Sequence, residues 1–140
     1  MVIGRPVEDV WRLISNMDAY STAFGEPLGE RYRVTSAGPL GLGSIVEANE
    51  WTVGQVTEFD PNRAIATSLP APGREFRHRA MRRATIGHRL EPVASGTRFI
   101  TWIEVEPNTT ANSQLPALRA RWRERLRLAA ANVKRVMEAT

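Results

Sequence analysis

Apolar positions along this chain change their spacing twice, and each change marks a different kind of element. In PVEDVWRLISN, Val7, Val10, Trp11 and Ile14 recur at steps of three and four, which places them on one face of an α-helix. Pro6 suits the first turn, where an amide hydrogen would have no partner, and Glu8 and Asp9 put negative charge at the positive end of the helix dipole. A helix is predicted there. Asn16 and Asp18 mark its end, and a second short helix or turn follows over 19–24.

From 28 to 107, glycine or proline interrupts the chain every several residues and β-favouring runs lie between. The pattern predicts a meander of antiparallel strands near 30–36, 44–48, 52–59, 64–69, 76–90 and 97–106. Turns fall at GPLGLG, around Asn49, at Asp60-Pro61-Asn62, at PAPG and at Ala94-Ser95-Gly96, all rich in residues that accept turn dihedrals. In the last strand Phe99, Thr101, Ile103 and Val105 alternate with Arg98, Ile100, Trp102 and Glu104, and both sets carry apolar bulk. Such a strand belongs to a sheet buried on one side and partly covered on the other, where a second subunit would fit, so a homodimer is one partner to expect.

The spacing returns to three and four after Pro107. Leu115, Leu118, Trp122, Leu126, Ala129, Val133 and Val136 or Met137 form one stripe of a helix over 113–139, with Pro116 confined to the first turn and Arg119, Arg121, Arg123, Arg125 and Arg127 mostly facing elsewhere. A stripe that long must lie on something, and the sheet is the only partner. The expectation is therefore one α+β domain over 1–140: one or two short helices after a first strand, about six or seven antiparallel strands, and a long C-terminal helix on the sheet.

Composition narrows the function more than the fold. At 140 residues, 42% apolar and 24% charged, the chain has the make-up of an ordinary globular domain with one core. No apolar run approaches the roughly 20 residues that span a bilayer, and the start lacks the features of a signal peptide, so a cytoplasmic protein without membrane insertion is expected. The absence of cysteine excludes disulfides, thiol nucleophiles and cysteine-bound metal clusters. The net charge of +4 rests on 18 arginines and the single lysine Lys134, a bias read as genomic composition.

The order of elements and several motifs resemble the START/polyketide cyclase-like (SRPBCC) superfamily over nearly the whole chain. The likeness is carried by RPVEDVWRLISN, the turn GLGS, the strand end VTEFDPNRAIA, the hairpin RLEPVASGTRF, and LAAANVKRVMEA in the final helix. It implies a helix-grip fold, with the sheet curved around the C-terminal helix, and a cavity between them of the sort that relatives use for lipids, polyketides and other apolar ligands. Two departures, a first strand limited to Met1–Arg5 and AYSTAFGEP where members usually carry a tryptophan, imply a smaller or more open cavity. Fold likeness alone does not fix a reaction.

In a helix-grip protein the ligand would meet the first half of the long helix at Leu115, Leu118 and Trp122, unless Trp122 plugs the cavity as a core side chain. On the sheet it would meet Ile86, His88, Phe99, Thr101, Ile103 and Trp51. His88, which alternates with Ala84, Ile86 and Leu90, is the first candidate for a general acid or base, against the plainer reading of a histidine hydrogen-bonded within the sheet. Glu47, if it points inward, is the second, against a solvated carboxylate paired with arginine. His78, between Arg77 and Arg79, is expected to be exposed.

RHRAMRR and Arg74 gather five arginines within ten residues. They would grip a phosphate or acidic head group, or else protect a sheet edge. With Phe76 the only ring nearby, stacked bases are not indicated, which argues against a nucleic-acid partner. Two histidines ten residues apart predict no metal site, and GPLGLG lacks the lysine of a phosphate loop, so no cofactor is expected. Three functions remain: a binder of a small hydrophobic or aromatic molecule with cyclase- or dehydratase-like chemistry through His88 or Glu47, a non-enzymatic carrier or sensor of such molecules, and a protein-interaction domain.

Overall fold

In the computed structural model, which describes residues 1–49, 52–76, 78, 80–108 and 112–139, the first helical period becomes α1 (Val7–Ile14). Pro6 stands just outside it in extended conformation, and its carbonyl accepts from the amides of Asp9 and Val10. Val10 and Ile14, one turn apart, are buried. Asn16 then caps α2 (Met17–Tyr20), its side chain accepting from the amides of Asp18 and Ala19 at 3.1 and 3.2 Å. The helical path continues as a wider π turn over Ser21–Gly25 and a tight 3-10 turn over Glu26–Leu28. It stops at Gly29, whose φ of 68° costs a glycine little. This segment is longer than the one expected over 19–24, and its added turns carry Phe24 and Leu28 to the core.

Seven strands follow one another in a single antiparallel sheet: β1 (Val2–Ile3), β2 (Tyr32–Val34), β3 (Ile45–Ala48), β4 (Thr52–Asp60), β5 (Ala64–Leu69), β6 (Met81–Val93) and β7 (Gly96–Pro107). Their order is β1-β7-β6-β5-β4-β3-β2, so the meander runs outward from the long β6–β7 hairpin and β1 adds to β7 by pairing Val2 with Arg98 and Ile3 with Thr97. Asp60-Pro61-Asn62 turns β4 into β5 as its composition suggests, with Asn62 at φ 66°. A bulge between Val56 and Glu58 lets both Val56 and Phe59 reach the core although they stand three apart.

Two strand boundaries differ from expectation. β2 is confined to 32–34, and β6 begins at Met81 instead of 76. The carbonyls of His78 and Ala80 accept from the side-chain and backbone amides of Asn108 at 2.9 Å each, which ties this stretch to the end of β7. Phe76 and His78 are thereby left to face the space over the sheet.

α3 (Leu115–Glu138) lies on the concave side, burying Leu126, Ala129, Ala130, Val133 and Met137. These join Ile3, Val10, Ile14, Phe24, Leu90 and Phe99 in one core. Polar contacts fix the helix along its length: Asn132 Nδ2 donates to the Ala23 carbonyl and Lys134 Nζ to the Val2 carbonyl, both at 2.7 Å. On the convex face Trp102 lies over Gly87, where a β-carbon would collide with the indole. Part of that face is thus covered from within the chain.

Candidate functional site

Between the concave face and α3, the half of the molecule beyond the core encloses an open cavity of about 680 Å³. Its walls follow from the alternation of the strands. Val46 and Ala48 of β3, Val56 of β4, Ile65 and Thr67 of β5, Ala84, Ile86 and His88 of β6, and Ile103 of β7 all face it. Tyr20, Phe24 and Leu28 close one side, Leu40 reaches in from the GPLGLG loop, and α3 contributes Trp122 and Arg125.

His88 is only 3% exposed and is the polar floor of this space. Its Nε2 lies 2.7 Å from the Tyr20 hydroxyl and its Nδ1 2.9 Å from Thr101 Oγ1. Phe99 stacks on the ring at 5.0 Å and Phe24 meets it edge-on at 4.9 Å. Burial penalises the charged imidazolium and pushes the His88 pKa down to about 3, so the ring is neutral at physiological pH. Burial likewise raises the Tyr20 phenol well above its usual value, with a further push from the charge on Glu30. The neutral Tyr20 hydroxyl keeps its proton, and His88 is its hydrogen-bond partner. Both partners are hydroxyls that can donate or accept, so in either neutral tautomer one hydroxyl donates to the bare ring nitrogen and the other accepts from the ring N–H. Both ring nitrogens are then occupied.

A second polar group stands at the other end of the wall. The Tyr32 hydroxyl donates to Glu30 Oε2 at 2.5 Å, and its pKa is raised, first by burial and further by the charge and hydrogen bond of Glu30, with the Arg125 charge acting the other way. Arg125 Nη2 donates to the Leu28 carbonyl at 3.1 Å, and the guanidinium sits 5.0 Å above the Trp122 ring. Tyr20 links the two ends, with Phe24 and Tyr32 each 5.0 Å from its ring. Thr52, Glu75 and His78 add further polar side chains to the lining, and His78 Nδ1 accepts from the Ala80 amide at 3.1 Å.

The residues singled out from sequence divide on this geometry. Trp122, Ile86, His88 and Ile103 face the cavity. Phe99 and Thr101 stand behind His88, one stacked on it and the other hydrogen-bonded to it. Leu115 and Leu118 do not reach the wall. At 1.5 Å per residue the stripe carries them about 10 and about 6 Å along the axis beyond Trp122. Glu47 takes the plainer of its two readings and not that of an inward acid–base group: Val46 and Ala48 take the inward positions of β3, so Glu47 points to the opposite face, where Arg33 Nη2 approaches it at 3.4 Å. His78 is half-buried at the cavity mouth and not exposed, because Asn108 holds its backbone there. Trp51 lies outside the described residues, as do Arg77 and Arg79 of the arginine-rich segment.

Sequence reasoning missed Tyr20, Glu30, Tyr32 and Arg125. For Arg125 a signal existed, since it follows Trp122 by three on the same helix and so shares its face. Tyr20 ends a four-residue helix and Tyr32 opens a three-residue strand, elements too short for a period to show. Among the described residues no three histidine or acidic side chains come together as a metal site, and no helix is long and apolar enough to cross a membrane.

Several solved structures share this architecture. Protein MLL2253 from Mesorhizobium loti superposes with a TM-score of 0.67 at 14% identity, covering 100% of this chain and 94% of that one. CalU16 from Micromonospora echinospora gives 0.63 at 15% identity over 95% of this chain and 72% of its own. The Aha1 dimer from Colwellia psychrerythraea gives 0.61 at 16%, over 99% and 92%. At such identities the likeness is one of fold. No protein of curated function matches the sequence. The profile of the family described as polyketide cyclase/dehydrase and lipid transport matches residues 1–138, and the helix-grip sheet, the long α3 and the cavity between them accord with it. This chain belongs to that polyketide cyclase/dehydrase and lipid transport family.

Proposed function

We propose that this protein, acting as one domain, binds a small and largely apolar molecule between its sheet and α3. The carrying observation is the cavity itself: about 680 Å³ walled mainly by aliphatic and aromatic side chains. Interiors are otherwise close-packed, and ligand pockets commonly measure about 300–1,000 Å³ with a few convergent polar groups on apolar walls. Trp122 forms part of the wall and leaves the space open, which supports a ligand-holding role over a bare scaffold for protein docking.

The two acid–base candidates support holding more than transforming. His88 is neutral, weakly basic and occupied at both nitrogens, and Glu47 belongs to the other face. A general base needs a free lone pair within reach of the proton it takes. The reading is therefore a carrier or sensor of a hydrophobic molecule.

Native mass spectrometry of the freshly purified protein checks this, with a retained small molecule as the expected result. Where nothing co-purifies, 1-decanol at 100 times its dissociation constant is expected to stabilise the fold by about 2.7 kcal/mol. No retained molecule together with no thermal shift from decanol or naphthalene would overturn the proposal.

A further inference from the structure

The cavity is apolar over most of its wall, yet α3 directs a permanent cation into it. Arg125 makes no ion pair among the described residues, and the only hydrogen bond of its guanidinium there is from Nη2 to the Leu28 carbonyl. That bond and the stack on Trp122 hold the planar group in place, with most of its five N–H donors unengaged among the described residues. Glu30 lines the same wall but forms no ion pair with it among the described residues, and one Glu30 oxygen is already engaged by the Tyr32 hydroxyl. When an apolar body fills the cavity, water leaves the guanidinium, and a desolvated charge is costly unless an opposite charge with hydrogen bonds replaces the water. A neutral acceptor would supply the bonds without the charge. The net charge of +4 also favours the approach of an anion.

We infer that Arg125 anchors a carboxylate of the bound molecule, so that the ligand is an amphipathic acid with its apolar body along Ile86 and Ile103 and its acid group at the Arg125 fork. The inference rests on the cavity being a binding site. Planar guanidinium matches a carboxylate at two points, a geometry lysine does not offer. Glu30 works against this anchor by like charge, and its neutralisation should tighten binding of an acid.

Isothermal titration at pH 7.5 with decanoate and with 1-decanol separates the acid group from the chain that both probes share. Wild type is expected to bind decanoate at least about tenfold more tightly than decanol. In Arg125→Gln that ratio should fall to about one, and in Glu30→Gln it should rise above the wild-type value. Equal affinity of the wild type for both probes, or a ratio unchanged in Arg125→Gln, overturns the anchor and leaves the cavity as a neutral binding site. Should Arg125→Gln fail to fold, a ratio unchanged or lowered in Glu30→Gln decides against it. Absence of binding by both probes overturns the anchor, and with no retained molecule and no shift from naphthalene it overturns the cavity reading as well.

Discussion

A buried histidine with two neutral partners is a pH-sensitive part of this fold. The unfolded chain takes up a proton at His88 near pH 6.5, whereas the folded state refuses it until about pH 3. The unfolded state therefore binds more protons across that interval, so stability rises with pH within it and the contribution of His88 is complete above about 6.5. The slope approaches about 1.4 kcal/mol per pH unit at its steepest. His88→Gln should lower stability at pH 7.5 yet flatten the loss between pH 6.5 and 4, as read by urea unfolding at several pH values. His78, whose pKa burial also lowers, is present in both proteins, so the difference isolates His88. An equal slope in the two would refute the assignment. Tyr20→Phe tests the other end of the bond: it strands His88 Nε2 in an apolar setting, and a loss of about 1–3 kcal/mol is expected in the same assay at neutral pH.

At the scale of elements, the β6–β7 hairpin carries both the floor of the cavity and the cover of the convex face. Gly87 and Trp102 pair directly across it, and the indole occupies the space where a β-carbon would stand. Gly87→Ala must displace Trp102 or bend β6 one residue from His88. A cost of about 1–3 kcal/mol is expected from thermal unfolding, and an unchanged midpoint would mean that the indole moves freely. The pairing also gives Trp102 a partner within its own chain. α3 shows a comparable division along its length: Ala129 and Val133 are fully buried in the part that Asn132 and Lys134 tie to Ala23 and Val2, while Trp122 and Arg125 hang over open space.

On the scale of the whole molecule, the core and the cavity share one concave face and meet along Phe24, Val46, Val56 and Ile65, which belong to both, while Ala84 and Ile86 face the cavity outside the core. Side chains that face the cavity should therefore tolerate enlargement where core side chains do not. Ala84→Phe directs a ring into the cavity, and unfolding should show stability within about 1 kcal/mol of wild type. The same variant should bind 1-decanol more weakly by at least about tenfold in the titration above, because the space is filled. Strong destabilisation with intact binding would show that the space at Ala84 is not part of the site.

Local pattern alone determined the elements: α1 from its three-and-four spacing and its proline, the hairpins from Asp60-Pro61-Asn62 and Ala94-Ser95-Gly96, and α3 from an uninterrupted stripe. These signals act within a few residues, and the structure follows them to within a few positions except at 76–80, where the distant Asn108 decides. Strand alternation also placed Ile86, His88 and Ile103 on one face, because that period is a property of the backbone. What the tertiary structure decided was which face turned inward and where along α3 the core gave way to the cavity. Glu47 could be assigned outward only once Val46 and Ala48 were seen to face α3, and Leu115 and Leu118 share Trp122's stripe without sharing its neighbours. Tyr20, Glu30, Tyr32 and Arg125 were illegible because their meeting depends on irregular turns closing over the sheet from positions about a hundred residues apart. The apolar stripe made the long helix predictable; the charge it points into the cavity is visible only in three dimensions.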